Sequence, residues 1–327
     1  MDYLNLGATG LKVSRICLGA MTYGSSKWRP WVLDEEASRP LLKQALEAGI
    51  NFFDTADMYS LGASEEVLGR ALKDFGPGRD KVVIATKVFY PMGDDPNQRG
   101  LSRKHIMHAI DDSLRRLGTD YVDLYYIHRF DPETAIEETI QALHDLVRAG
   151  KVLYLGASSM PAWRFATMLY VADANGWTRF TVMQNHYNLL YREEEREMIP
   201  LCLEEGIGVV PWSPLARGLL AGKRRPETVR AATDIYRKEI YGDEIGEGDA
   251  RLIARLEAVA ETLGLPPAQI ALAWLSQKPA VVAPIVGASK PQHLQDALAA
   301  LDVRLDAETV ASLEEVYIPH AVAGMAR

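Results

Sequence analysis

Short apolar runs alternate with amphipathic stretches along most of the chain. Eight of the runs are too short for helices and rich in bulky or branched residues, which is typical of buried strands. They cover residues 16–20, 50–53, 82–85, 122–127, 152–155, 180–183, 207–211 and 281–286. Apolar residues at helical spacing predict helices over residues 35–48, 64–74, 103–117, 133–149, 161–175, 193–205, 251–264, 266–277, 291–300 and 306–316. The charged run 192–197 predicts a solvent-exposed start for one of these helices.

Strands that alternate with helices pair in parallel and are joined by right-handed crossovers. Eight such units predict an α/β fold closed into a (β/α)8 TIM barrel, and an open doubly wound sheet is the alternative. Residues 2–14 precede the first unit and predict a β-hairpin that turns at residues 8–10. Because no low-complexity linker or alignable repeat interrupts the alternation, residues 1–327 are predicted to form a single domain.

Two long segments interrupt the alternation. Residues 22–34 follow the first strand and contain Tyr23, Trp28 and Trp31, and residues 214–250 follow the seventh strand. The second segment is basic at first and then acidic. Long loops are usually lids or binding loops, so both segments are predicted to shape the substrate and cofactor sites.

Composition argues against several classes of function. A net charge of −8 without a basic block disfavours binding to nucleic acid or to an anionic membrane. No apolar run reaches the ~20 residues of a membrane span, and no secretory signal is visible. The two cysteines, Cys17 and Cys202, have no metal-binding spacing, which predicts a cytoplasmic location and no metal site. Because the sequence contains no GxGxxG after a strand and no P-loop, any nucleotide must be held by another arrangement.

The segment 49–72 predicts a strand with a polar end. Its apolar run stops at Asp54, Tyr59 follows in the next loop, and Ser64 is the predicted N-cap of the following helix. Ligands bind at the carboxyl ends of strands in parallel α/β folds, so Asp54 and Tyr59 are candidate site residues. The alternative is structural: Asp54 caps a turn, and Tyr59 packs on the surface.

Two further strands end in titratable residues, Lys87 and His128. A buried lysine requires a paired acid, and Asp54 on the neighbouring strand is the candidate. A lysine cation beside a phenol would lower the phenol pKa from ~10, which makes Tyr59 a candidate general acid near neutral pH. His128 could donate a hydrogen bond to a carbonyl oxygen.

These residues together resemble the aldo-keto reductase family. The segment GINFFDTADMYSLGASEEVLG carries the spacing of the family's first motif, and TKV, YIH, Gln184 and PIVGAS follow in the family's order. The resemblance runs from Tyr3 to about Tyr317. It implies a (β/α)8 barrel that binds NADPH without a Rossmann domain, with NADH as a possible second cofactor. It also implies a small-molecule partner, an aldehyde or ketone that is reduced to an alcohol.

The resemblance implies a role for each of the four polar residues at the strand ends. Tyr59 would protonate the carbonyl oxygen as hydride arrives from the nicotinamide. Lys87, held by Asp54, would tune Tyr59. His128 would orient the substrate.

The resemblance also implies a cofactor site. Ser158, Ser159 and Gln184 would hold the nicotinamide carboxamide, and Trp212 would stack beneath the ring. The segment 213–223 would run along the pyrophosphate. The remaining cofactor contacts would come from Thr22, Ser213, Leu215, Arg217, Leu219, Gly287, Ser289, Lys290 and His293.

Some of these positions depart from the family pattern. Ser159 is commonly Asn in the family, and Trp212 is often Tyr. His293 stands where an Arg or Gln is frequent, and a neutral imidazole binds phosphate less strongly than a guanidinium does. The predicted preference for NADPH therefore depends largely on Lys290.

The substrate pocket and the reaction leave alternatives open. Pocket walls are predicted from the aromatic loop and the strand ends, at Tyr23, Trp28, Trp31, Phe89 and Arg129. Arg129 could face the pocket and favour anionic substrates, or it could pair with Asp131. A Schiff-base lyase or aldolase could use Lys87 as a nucleophile, although an acid-paired lysine is a poor one. A cofactor-sensing binding module is the third alternative. The sequence does not indicate the natural substrate or the oligomeric state.

Overall fold

The computed structural model describes residues 1–222, 229–242 and 244–323. In these residues a hairpin is followed by alternating strands and helices. The strands are β1 (Tyr3–Asn5), β2 (Lys12–Ser14), β3 (Cys17–Gly19), β4 (Tyr23–Gly24), β5 (Leu33–Asp34), β6 (Phe52–Asp54), β7 (Val83–Val88), β8 (Val122–Ile127), β9 (Val152–Ser158), β10 (Phe180–Gln184), β11 (Gly208–Val209) and β12 (Ile285–Val286).

The eight predicted strands form one parallel sheet in the order β11-β10-β9-β8-β7-β6-β3-β12. The sheet closes on itself through the segment that leads into β12. On one side of this segment the backbone N–H of Val282 donates to Val209 at 2.9 Å, and Val209 donates to Ala280 at 3.0 Å. On the other side Cys17 donates to Pro284 at 3.1 Å. The predicted (β/α)8 barrel is therefore confirmed, and the open doubly wound sheet is excluded.

Most of the helices cover the outer face of the barrel. The helices are α1 (Glu35–Glu47), α2 (Ala63–Phe75), α3 (Arg103–Leu117), α4 (Ile136–Arg148), α5 (Ala162–Asn175), α6 (Met198–Glu204), α7 (Val229–Thr233), α8 (Ile235–Tyr241), α9 (Glu247–Leu263), α10 (Pro267–Ser276), α11 (Pro291–Ala299) and α12 (Ala307–Glu314). Of these, α7 and α8 belong to the long segment after β11. Alternate strand residues point to opposite faces. Phe52 therefore belongs to an inner apolar layer within the barrel, whereas Phe53 belongs to the outer layer beneath the helices.

Strands β1 and β2 form the predicted hairpin, and this hairpin covers the amino-terminal ends of the barrel strands. Leu6 and Val13 are fully buried in the inner layer. The backbone N–H of Ala8 donates to Gly206 at 2.7 Å, just before β11, and that of Ser14 donates to the Asn51 side chain at 2.7 Å, just before β6. The hairpin thus closes one end of the barrel. The other end, where the carboxyl ends of the strands lie, is called the open end, because ligands bind there in barrels of this kind.

The predicted N-cap at Ser64 is wrong. Helix α2 begins at Ala63 after Gly62, which has a left-handed φ of 92°. The Ser64 hydroxyl instead donates to the carbonyl of Ala20 at 2.8 Å and lies 2.9 Å from the Thr55 hydroxyl. The serine is fully buried, so its hydroxyl stabilises the contact between α2 and the strand ends rather than the start of the helix.

The two long segments contain more regular structure than a loop prediction allows. Residues 22–34 include the short parallel pair β4 and β5, and residues 214–250 include a 3-10 turn at Ala216–Ala221, α7, α8 and the start of α9. These pieces are mostly too short to show a helical period in the sequence. The basic stretch at residues 223–225, of which only residue 223 belongs to the predicted pyrophosphate segment, lies outside the described residues.

The charged run 192–197 is not a fully exposed helix start. Glu193 and Glu194 are buried. Glu193 accepts hydrogen bonds from the Tyr317 hydroxyl at 2.7 Å and from the backbone N–H of His320 at 2.8 Å. Glu194 accepts one from the Asn185 amide at 2.8 Å. The acids fix a turn beneath the C-terminal segment, so the prediction of solvation is wrong at these two positions.

Glu194 gives a prediction for the pH dependence of stability. Burial raises the pKa of Glu194 to about 7, above its value in an unfolded chain. Its contribution to stability is therefore fully present below the unfolded pKa and is lost as pH rises through 7. We expect Glu194→Gln to raise the free energy of unfolding at pH 8 by about 2–3 kcal/mol, and by much less at pH 5.

Denaturant unfolding at pH 5 and pH 8 would measure this difference. The exposed neighbour Glu197 supplies the control, since Glu197→Gln should have a small effect at both values. A Glu194→Gln gain that is equal at pH 5 and pH 8 would contradict the titration of this carboxyl group.

Within the described part of the chain, no helix is long and apolar enough to cross a membrane. Among the same residues, no group of three or more His, Cys, Asp or Glu side chains is arranged to hold a metal ion. Both cysteines are free thiols and are buried.

Candidate active site

The alternation of strand residues brings four polar side chains to the barrel interior at its open end. Asp54 lies two residues after the inward-facing Phe52, and Lys87 lies two residues after the inward-facing Ala85. His128 and Gln184 follow inward-facing residues of β8 and β10 at the same spacing. Residues two apart on a strand point to the same face. The polar residue at each strand end therefore faces the barrel interior, as does the apolar residue two positions before it.

Lys87 is the centre of this group. Its ammonium is fully buried and donates to Asp54 Oδ1 at 2.5 Å, to the Thr55 carbonyl at 2.8 Å and to the Tyr59 hydroxyl at 3.3 Å. Burial disfavours the charged form, but the attraction of Asp54 and Tyr59 outweighs it and raises the pKa of Lys87. The lysine is therefore protonated at neutral pH, and all three of its N–H donors have partners.

Tyr59 reaches the ammonium from the turn that follows β6. Ser60 and Leu61 have left-handed φ values of 52° and 50°, which turn the chain sharply beside the phenol. Burial raises the pKa of Tyr59, and the opposing effect of Lys87 is smaller. The predicted net lowering is thus wrong in direction for this structure, because loss of solvent outweighs the neighbouring cation. The phenol is protonated at neutral pH and can act as a proton donor.

His128 lies beside Tyr59 as a neutral imidazole. Its ring meets the Tyr59 ring edge-on, with centroids 5.7 Å apart, and the Tyr90 ring at 4.9 Å. Burial, together with the charges of Lys87 and Arg129, lowers the pKa of His128 well below its ordinary value. Its Nδ1 atom has no hydrogen-bond partner among the described residues. A neutral imidazole retains one N–H group, which can donate a hydrogen bond to the oxygen atom of a ligand.

Gln184 has a second contact that the sequence did not reveal. Its amide Nε2 donates to Asp54 Oδ2 at 2.8 Å, so the carboxylate is held by Lys87 through one oxygen and by Gln184 through the other. The sequence signal for this contact was the spacing of Gln184, which follows the inward-facing Val182 by two residues and so points into the barrel. Ser158 lies next to it and donates its hydroxyl to the Gln184 carbonyl at 2.9 Å.

Trp212 forms one end of an aromatic stack. Its indole N–H donates to the Ser159 hydroxyl at 2.9 Å. One face of the indole lies on His186, with centroids 4.3 Å apart and planes within 14°, and the other face of His186 lies on Tyr191 at 4.3 Å and 16°. His186 and Tyr191 were not predicted as site residues. The stack supports one face of the Trp212 indole, and the Tyr236 ring and the Arg129 guanidinium lie 6.3 and 6.0 Å from the centre of the indole.

The segment after Trp212 contains a buried ion-pair cluster. Ser213 and Arg217 have left-handed φ values of 53° and 51°. Arg217 donates twice to Asp234, at 2.8 Å each, and Arg230 donates to the same carboxylate at 3.2 Å. Two guanidinium groups thus share one carboxylate on the loop predicted to bind the pyrophosphate. Asp234 and Arg230 were not predicted.

The remaining predicted cofactor residues lie around the ends of β3 and β12. A side chain at Gly287 would lie 3.1 Å from the Thr22 hydroxyl, so these two loops meet closely. The Ser289 backbone N–H donates to His293 Nδ1 at 3.3 Å. Lys290 is exposed at the start of α11. Leu215 and Leu219 are partly buried and pack against the core.

These residues fit a nicotinamide dinucleotide. The indole of Trp212 is a flat surface of the kind on which a planar ring stacks, and hydroxyl and amide groups at Ser158, Ser159 and Gln184 lie at the strand ends beside it. The exposed ammonium of Lys290 suits a phosphate group. The donor set is therefore chemically consistent with the predicted cofactor.

The predicted pocket residues do not all lie at the open end. Tyr23 is fully buried in the outer layer beneath the helices, so its predicted place in the pocket is wrong. Trp28 lies beside Tyr59, with centroids 6.4 Å apart. Trp31 is covered by the Arg230 guanidinium at 4.3 Å. Phe89 contacts the Tyr90 ring edge-on at 5.2 Å.

Arg129 does not pair with Asp131, which was one of its two predicted roles. The guanidinium donates to the His128 carbonyl at 2.6 Å and to the Tyr236 hydroxyl at 3.1 Å. The Asp131 carboxylate accepts instead from the Leu101 backbone at 2.7 Å and from a nearby threonine hydroxyl at 2.8 Å. Arg129 is therefore directed to the open end of the barrel, next to the Tyr90 and Trp212 rings.

Comparisons with known proteins agree with this arrangement. A sequence model of the Aldo/keto reductase family matches residues 15–318. The chain is 45% identical to a versiconal hemiacetal acetate reductase from Aspergillus parasiticus, over 98% of each protein. It is 44% identical to a putative aryl-alcohol dehydrogenase from Schizosaccharomyces pombe, over 98% of this chain and 96% of that protein. A similar Saccharomyces cerevisiae protein, also a putative aryl-alcohol dehydrogenase, is 41% identical over 97% of each chain.

Proposed function

Because the chain belongs to the aldo/keto reductase family, a family of oxidoreductases, we propose that it reduces aldehydes or ketones to alcohols with NADPH. The observation that carries this proposal is the buried Lys87 ammonium, which binds both Asp54 and Tyr59. We further propose that residues 1–327 act as one catalytic domain and that the protein works in the cytoplasm.

In this proposal each side chain of the site has a separate role in the reduction of one carbonyl group. The cofactor, when bound, supplies the hydride that adds to the carbonyl carbon. Tyr59 donates its hydroxyl proton to the oxygen, and Lys87 stabilises the phenolate that remains. His128 donates a hydrogen bond to the same oxygen and orients it. Asp54, held by Gln184, keeps the ammonium in place.

We propose that the cofactor is held by the residues around Trp212 and the two phosphate-facing loops. Trp212 would stack on the nicotinamide ring, and Ser158, Ser159 and Gln184 would bind its carboxamide. Thr22, Ser213, Leu215, Arg217, Leu219, Gly287, Ser289, Lys290 and His293 would contact the rest of the dinucleotide.

Cofactor preference gives a direct test of Lys290. This lysine is exposed and has no ion pair among the residues that the structure describes, so its charge is available for a 2′-phosphate. We expect Lys290→Met to raise the KM for NADPH by roughly 10-fold or more, in line with the loss of one charge-assisted bond. The KM for NADH should change far less.

The control is Lys43→Met, which removes a solvent-exposed lysine on α1 and should leave both constants unchanged. If Lys290→Met raises the KM for NADPH and for NADH equally, Lys290 does not recognise the 2′-phosphate.

Two observations favour aromatic substrates within this reaction class. Trp28, Tyr90 and Tyr59 surround the open end of the barrel with aromatic surface. Three relatives carry the name putative aryl-alcohol dehydrogenase. The test is to mix purified protein, NADPH and a series of benzaldehydes and to follow the loss of the reduced nicotinamide absorbance. No consumption with any aldehyde or ketone would remove the proposal.

The protonation state of Lys87 argues against the alternative function, a Schiff-base lyase or aldolase. An imine-forming lysine must lose its proton before it can attack a carbonyl, whereas the pKa of Lys87 is raised by the attraction of Asp54 and Tyr59 despite its burial. A Schiff-base lyase is therefore disfavoured, and borohydride should trap no substrate on Lys87.

A further inference from the structure

Arg129 is a buried cation that has no carboxylate partner in the described part of the chain. The residue is 5% exposed, and its guanidinium is bonded to two neutral groups, the His128 carbonyl and the Tyr236 hydroxyl. Its neighbour Asp131 is used by other donors. An unpaired buried charge is costly. A fold that keeps one at the open end of the barrel is suited to a ligand that brings the missing negative charge.

The position of Arg129 relates this charge to the reacting group. Its guanidinium carbon lies 5.8 Å from the centre of the Tyr90 ring and 6.0 Å from that of Trp212. The Tyr90 ring in turn touches the His128 ring at 4.9 Å. The cation therefore lies beside the same aromatic wall as the proposed carbonyl site.

The guanidinium also has donors to spare. A guanidinium carries five N–H groups, and two hydrogen bonds are made within the described residues. Its planar arrangement of donors matches the two oxygens of a carboxylate. Arg217 and Arg230 differ from it, because they already share Asp234.

We propose that Arg129 binds a carboxylate on the carbonyl substrate, so that the protein prefers aromatic aldehydes with an anionic group on the ring. This substrate class rests on the proposed carbonyl reduction. The aldehyde oxygen lies between Tyr59 and His128, and the carboxylate lies against Arg129. Arg129 is then a specificity-determining residue, because it distinguishes between substrates of equal intrinsic reactivity.

The test compares 4-carboxybenzaldehyde with its methyl ester, which has the same shape at the aldehyde but no charge. For the wild type we expect kcat/KM to be at least about 10-fold higher for the acid. In Arg129→Met the ratio of the two kcat/KM values should fall by roughly 10–100-fold, the range for one charge-assisted contact. Arg129→Lys should retain part of the ratio, because it keeps the charge but not the planar donors.

A binding measurement supplies a readout that is independent of turnover. The dissociation constants of 4-(hydroxymethyl)benzoate and of its methyl ester, measured by calorimetry, should differ in the same direction as the kinetic ratio. The control Arg115→Met removes an exposed arginine on α3 and should leave both ratios unchanged. If Arg129→Met does not fold, the wild-type ratios and Arg129→Lys decide the question.

These measurements distinguish a failure of the Arg129 inference from a failure of the proposed carbonyl reduction. Equal kcat/KM values for acid and ester in the wild type, with equal dissociation constants, would overturn the inference while leaving carbonyl reduction intact. A rise in the KM for NADPH with an unchanged substrate ratio would overturn it as well, because Arg129 would then serve the cofactor. If neither aldehyde is reduced, the proposed reaction fails. The dissociation constants of the wild type and Arg129→Met would still show whether Arg129 binds the carboxylate.

Discussion

Tyr59→Phe is expected to lower kcat for aldehyde reduction by a factor of roughly 10²–10⁴, the usual contribution of a positioned general acid. The substitution removes one hydroxyl, the group that lies 3.3 Å from the Lys87 ammonium. The phenyl ring keeps its contacts with Trp28 and His128, so the shape of the open end should persist. Steady-state kinetics and fluorescence titration with NADPH would show whether kcat falls while cofactor affinity stays within about 3-fold.

Tyr170→Phe is the matched control, because Tyr170 is exposed on α5 and should tolerate the same change without loss of kcat. If Tyr59→Phe retains more than about a tenth of the wild-type kcat, another group supplies the proton. A general loss of NADPH binding would instead mean that the hydroxyl supports the fold of the site.

Asp54→Asn should produce the largest loss of stability among these substitutions. It leaves a fully buried ammonium without its counterion, and breaking a buried pair in this way typically costs about 3–5 kcal/mol. It also weakens the hydrogen bond that Gln184 donates to Asp54 Oδ2. We expect the free energy of unfolding at pH 7 to fall by that amount, and reductase activity to be lost.

The pH dependence of this loss gives a sharper test. In the wild type the pKa of Lys87 is raised, because the attraction of Asp54 and Tyr59 outweighs the effect of burial. Its stabilising contribution is thus retained up to the unfolded pKa and is lost only as pH rises through the folded value. Without Asp54, burial should depress the pKa of Lys87. The stability deficit of the variant should therefore shrink between pH 7 and pH 10.

Urea unfolding at both pH values would measure the deficit. The control is Asp74→Asn, which breaks the exposed pair with Arg39 and should cost no more than about 1 kcal/mol at either pH. A deficit for Asp54→Asn that stays constant between pH 7 and pH 10 would mean that the ammonium is not the source of the instability.

The sequence predicted best those strands and helices in which the apolar residues keep one regular spacing from end to end. Strand β8 was predicted with its observed bounds, Val122–Ile127, and α3 with its bounds, Arg103–Leu117. The same period of two explains why Asp54 and Lys87 lie together in the barrel, since each follows an inward apolar residue by two positions. Their contact could therefore be predicted from the strand ends.

Features that depend on tertiary packing could not be predicted in this way. Ser64 has the composition of a helix cap, but its hydroxyl is used by Ala20. The direction of the Tyr59 pKa shift depends on burial, which no local pattern reveals. His186 stacks on Tyr191 and Trp212, which lie on separate loops. These contacts follow from the closed barrel rather than from spacing along the chain.

The helices within residues 214–250 show a further limit of predicting structure from the hydrophobic pattern. Helices α7 and α8 contain five and seven residues, which is less than two turns of apolar repeat. Asp234 lies between them and binds Arg217 through two hydrogen bonds. The segment is thus held by an ion pair rather than by an amphipathic face, and a hydrophobic pattern does not report such a contact.

The hairpin that covers the amino-terminal ends of the strands has a practical consequence for experiments. Met1 is exposed at that end, and the residues around Lys87 and Trp212 open toward the opposite end. A tether attached at the amino terminus should therefore hold the protein on a sensor chip with its open end facing the flowing solution. Immobilisation in this orientation would allow ligand exchange to be recorded without steric interference from the support.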